Sequence, residues 1–100
     1  MEERRRSPRQ DTQGELAIFP IAMNVRVLDI STGGVMLGTS RSVDLGTRGR
    51  LRLNLGGSPF AADVQIQRVS AGPADGYLLG AMFLGLDDSN RQMIERFMTR

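Results

Sequence analysis

The chain has 100 residues, 40% of them hydrophobic, which suits one globular domain with a modest core. It contains neither cysteine nor histidine, which excludes a disulfide framework and a thiolate metal site and removes the commonest general base and metal ligand. All 13 basic residues are arginine, and against 11 acids they leave a net charge of +2, too little for the dense basic stripe of a duplex-binding protein.

Residues 1–12 read as a flexible arginine-rich arm: they are polar, charged and broken by Pro8, which biases Ser7 towards extended geometry. Residues 13–100 read as the folded domain. A first strand is expected over 14–19 and a turn over 20–22. A second strand follows over 23–29, with Met23, Val25 and Val27 on one face and Asn24 and Arg26 on the other. Residues 31–34 form a turn into a third strand starting at Val35. The clearest alternation runs over 48–55, where Leu51, Leu53 and Leu55 oppose Arg50, Arg52 and Asn54, a half-buried strand with one wet face. Gly56-Gly57-Ser58-Pro59 signals a hairpin into a strand over 60–69, with Ala62, Val64 and Ile66 inward. After a turn over 71–76, a last strand over 77–84 is apolar on both faces, as if covered on both sides.

The C-terminal segment changes period. Ser89 with Gln92 three residues later matches a capping box, and Met93, Ile94, Phe97 and Met98 form one helical stripe. Asp87 and Asp88 near the helix start, and Arg96 and Arg100 near its end, complement the helix dipole. Six short strands and one helix predict a mainly β protein, a six-stranded antiparallel barrel with a C-terminal α-helix. No segment has the roughly 20 apolar residues of a membrane-spanning helix. The apolar run over 16–23 imitates a signal peptide but is interrupted by Pro20, so a cytoplasmic location is expected.

Two short motifs carry the candidate chemistry. Arg5 and Arg9 stand four apart, about 13 Å along an extended chain, so their planar forks can grip different parts of one ligand. Such forks fit phosphate oxygens and the O6/N7 edge of guanine. At the end of the second strand, Asp29 offers an acceptor for guanine N1–H and N2–H, Ser31 a hydroxyl, and Gly34 clearance for close approach. Each motif has a plainer reading: a solvated basic tail for Arg4, Arg5, Arg6 and Arg9, and for 29–34 a hairpin with local Asp and Ser bonds and a glycine at positive φ. Arg50 and Arg52 read as solvated; Arg68, near its strand end, reads first as solvated too, with contact to a ligand as the lesser alternative.

In order and spacing, Arg5-x-x-x-Arg9 and Asp29-x-Ser31-x-x-Gly34 resemble the two signatures of the PilZ domain, and Gly80-Ala81-Met82-Phe83 resembles that family's last strand. The likeness covers nearly the whole chain. It implies a six-stranded barrel with a C-terminal helix that is not an enzyme, has no cofactor or metal, and binds cyclic dimeric GMP through Arg5, Arg9, Asp29, Ser31 and Gly34. Arg4 would stack on a second guanine and Arg6 add positive potential. The implied partners are the nucleotide and a regulated protein or attached domain. An alternative is a PilZ-fold interaction module that binds no ligand. A single-stranded nucleic-acid binder would need exposed aromatic platforms, and only five aromatics are present.

Overall fold

The computed structural model describes residues 12–18 and 21–98. Six strands, β1 (Thr12–Ile18), β2 (Ile21–Ile30), β3 (Gly34–Thr39), β4 (Arg48–Leu55), β5 (Ser58–Ala71) and β6 (Tyr77–Leu84), precede one helix, α1 (Asp88–Met98). The strands close into an antiparallel barrel in the order β1-β2-β3-β6-β5-β4. The predicted barrel with its C-terminal helix is therefore what the chain forms.

Alternation builds the interior. Leu51, Leu53 and Leu55 of β4 and Phe60, Ala62, Val64 and Ile66 of β5 are all buried, as their period of two requires. Phe60 and Phe83 meet edge to face at 5.8 Å between ring centres. Helix α1 contributes Ile94, which is fully buried, while Met93, Phe97 and Met98 pack part-buried against the core. Asn90 Nδ2 donates a 2.9 Å bond to the Ala61 carbonyl and so ties the helix to β5.

Two expectations need correction. The helix is capped by Asp87 rather than Ser89: the Asn90 amide donates to Asp87 Oδ1 at 2.8 Å, and the Arg91 amide donates to the Asp87 carbonyl. A carboxylate at the dipole's positive end out-competes a hydroxyl two residues on, and Ser89 lies within the first turn. Strand β6 is not covered on both sides: Leu79, Ala81 and Phe83 are buried, but Met82 on the other face is 41% exposed. The helix packs chiefly against β4 and β5 rather than on that face. Strand β2 also starts earlier than expected, pairing Ile21 and Ala22 with Ile18 and Ala17 in the predicted turn. Among the described residues no helix is long and apolar enough to cross a membrane.

Candidate functional site

No polar or charged side chain is buried among the described residues, so the chemistry these residues offer lies on the outer wall. One open hollow of about 290 Å³ there is built around the turn from β2 to β3. Asp29 and Ser31 line it from β2 and the turn, Gly34 and Met36 from β3, and Arg68 and Met82 from β5 and β6. The structure thus gathers Asp29, Ser31 and Gly34 at one place. Arg4, Arg5 and Arg9 lie outside the described residues.

Asp29 faces out because β2 breaks its own period. Val25 and Val27 point inward, and strict alternation would send Asp29 in after them. A bulge at Leu28 inserts one extra residue between the pairs Val27↔Leu37 and Asp29↔Met36. Asp29 then lies outward and Ile30 takes the buried position. Strand β5 does the same. Its inward run Phe60, Ala62, Val64, Ile66 would continue to Arg68, but a second bulge at Gln67 separates Ile66↔Ala81 from Arg68↔Gly80. Arg68 is exposed, and Val69 returns to the core side. Both irregularities show in the sequence as apolar steps of three, Val27 to Ile30 and Ile66 to Val69, inside runs of step two.

The turn itself is short. The Ser31 amide donates to the Gly34 carbonyl at 2.9 Å, and the Gly33 amide donates to Ser31 Oγ at 3.3 Å. Neither glycine has a positive φ, so the hairpin does not need them for left-handed backbone. Gly34 is required for another reason: a Cβ there would lie 2.5 Å from the Ala81 carbonyl oxygen of β6. Its missing side chain lets β3 and β6 close up beneath the site. A Cβ on Gly33 would meet only Ser31 Oγ, at 3.9 Å, so the fold leaves that position free.

Neither Asp29 nor Arg68 has a hydrogen-bond or ion-pair partner among the described residues. No group of three or more potential metal ligands gathers among them either. An exposed carboxylate, a hydroxyl and a guanidinium around an open hollow are suited to holding a polar ligand. Sequence reasoning did not find Met36, Gly80 and Met82 as part of this surface, because only strand register brings them there.

A closed six-stranded antiparallel barrel with an acid–hydroxyl–glycine turn at the end of its second strand and a C-terminal helix is a small β-barrel domain. The PilZ domain profile matches residues 3–100, and the chain belongs to the PilZ domain family. Among solved structures it is similar to the Bacillus subtilis inhibitor of motility MotI/DgrA (TM-score 0.80, 14% identity, covering 99% of this chain and 51% of that one). It is also similar to Escherichia coli YcgR in complex with c-di-GMP (TM-score 0.77, 19% identity, 93% of this chain and 41% of that one). The PilZ domain of YcgR with c-di-GMP gives TM-score 0.75 at 19% identity, over 97% of this chain and 90% of that one. At these identities the likeness establishes the fold. The chain spans about half the length of MotI/DgrA and less of whole YcgR. No curated protein matches the chain.

Proposed function

We propose that this chain is a non-catalytic, cytoplasmic receptor domain for cyclic dimeric GMP. The observation that carries the reading is the exposed Asp29, without a hydrogen-bond or ion-pair partner among the described residues, beside Ser31 in the hollow at the end of β2, within a PilZ domain. The carboxylate accepts from the N1–H and N2–H edge of guanine and the Ser31 hydroxyl adds a bond. Arg5 and Arg9 supply forks for the phosphates and the O6/N7 edge, and Arg4 stacks on a second guanine. YcgR, with the same fold, is solved with c-di-GMP bound, which supports this ligand.

In this reading the ligand draws Arg5 and Arg9 against Asp29 and Ser31, orders the N-terminal arm over the barrel, and changes the surface a regulated protein or attached domain meets. Ordering a segment costs about 2–5 kcal/mol, and a net of about −8 kcal/mol corresponds to micromolar affinity. Calorimetric titration with cyclic dimeric GMP tests the proposal. Wild-type protein is expected to bind in that range, and Arg9→Ala and Asp29→Ala to lose binding. Absence of heat and of any shift in the arm's resonances at high ligand would refute it.

A further inference from the structure

The register of four adjacent strands places Asp29 and Arg68 on one line. Asp29 of β2 pairs with Met36 of β3, Met36 with Gly80 of β6, and Gly80 with Arg68 of β5. This outward row lies between two rows of the core. Val27, Leu37, Leu79 and Val69 form one, and Ile30, Val35, Ala81 and Ile66 the other. Each flanking strand takes its extra residue, Leu28 or Gln67, in the same interval between those two rows. The bulges therefore set a carboxylate at one end of the row and a guanidinium at the other. Three strand spacings put their backbones about 14 Å apart.

The stretch between them is low and apolar. Gly80 has no side chain, and Met36 is half-buried. A Cβ on Gly80 would come within 3.3 Å of Arg68 Cβ, so the bare glycine is also what lets the arginine stem settle there. One step along, Met82 offers a second thioether at 41% exposure. Polarizable sulfur makes favourable contacts with aromatic rings.

We infer that this row is a guanine seat. One base lies over Met36 and Gly80, with its N1–H/N2–H edge to Asp29 and its O6/N7 edge to the fork of Arg68. The inference rests on the cyclic dimeric GMP reading and deepens it by assigning a base-reading role to Arg68 and a floor to Met36 and Gly80. The charges select a base rather than a phosphate: a phosphate midway along the row would face the Asp29 carboxylate. A neutral ring with donors on one edge and acceptors on another complements both ends. Adenine carries an amino donor where guanine has O6, so Arg68 discriminates between the two.

Calorimetry with cyclic dimeric GMP and cyclic dimeric AMP on wild type, Arg68→Ala, Arg68→Lys and Asp29→Ala tests this. Arg68→Ala is expected to weaken cyclic dimeric GMP binding about ten- to a hundredfold and to narrow the preference over cyclic dimeric AMP. Its unfolding midpoint should not move, since Arg68 is exposed and has no hydrogen-bond or ion-pair partner among the described residues. Arg68→Lys should not recover the loss, because an ammonium cannot form the fork. Wild-type affinity in Arg68→Ala, with binding lost in Asp29→Ala, overturns the inference and leaves the receptor reading standing. Wild-type affinity in Arg68→Lys overturns the base-edge contact in favour of a simple charge. No binding by wild type removes the reading and the inference together. On saturation the methyl resonances of Met36 and Met82 should move upfield under the ring, and methyls that stay in place overturn the floor.

Discussion

Strand β5 carries charge in two different ways along its length. Before its bulge, Asp63 sits directly opposite Arg50 of β4, and the two close a 2.9 Å ion pair. After the bulge, Arg68 faces Gly80, and the acid on its row lies three strands away. The first pair satisfies itself and serves the sheet. The second pair is held apart by the register, and neither group has a hydrogen-bond or ion-pair partner among the described residues. Adjacent opposite charges serve the sheet; separated ones on a common apolar floor serve recognition in the proposed guanine seat.

That contrast can be broken at several points. The largest effect on the fold is expected from Gly34→Ala. The added Cβ meets the Ala81 carbonyl at 2.5 Å, and forcing β3 and β6 apart should cost about 1–3 kcal/mol in urea denaturation. An unchanged midpoint would mean the two strands have room beneath the site. A smaller and two-sided effect is expected from Met36→Lys. It places an ammonium directly opposite Asp29, reproducing the β4–β5 arrangement on the other face. Stability should rise by up to about 0.5 kcal/mol, while affinity for cyclic dimeric GMP falls about tenfold as Asp29 is neutralised. A stability gain without loss of binding would sink the idea that the separation is functional. The smallest effect belongs to Arg50→Ala. Both partners of that pair are substantially exposed, 49% and 60%, so solvent screens it. The expected loss is under about 0.5 kcal/mol, with ligand affinity unchanged.

Much of the barrel was legible because β4, β5 up to Ile66, and α1 keep their periods without interruption. Misreadings arose where a local signal competed with another. Ser89 has a capping sequence, yet Asp87 reaches the Asn90 amide first. The apolar outer face of β6 suggested a cover, but α1 packs on β4 and β5. At the site, Asp29, Ser31 and Gly34 were readable from their spacing. Gly34, however, answers first to the Ala81 carbonyl of β6, a contact that no local pattern encodes. Arg68 stood out as a lone arginine near a strand end. Its alignment with Asp29 depends on two bulges and three strand pairings, and no single segment contains that information. The steps of three at Val27–Ile30 and Ile66–Val69 were its only trace.

The closed topology limits how a partner can meet the barrel. Along the paired stretches every strand is hydrogen-bonded to a neighbour on each side, so an added strand could reach the sheet there only at strand ends that run past a neighbour, such as residues 21–25 of β2 beyond its pairing with β3. In the proposed reading, a protein that meets the paired stretches does so through side chains on the curved outer wall, or through an arm laid over it. Such a contact surface can be altered by laying a ligand across it, without rearranging a single strand.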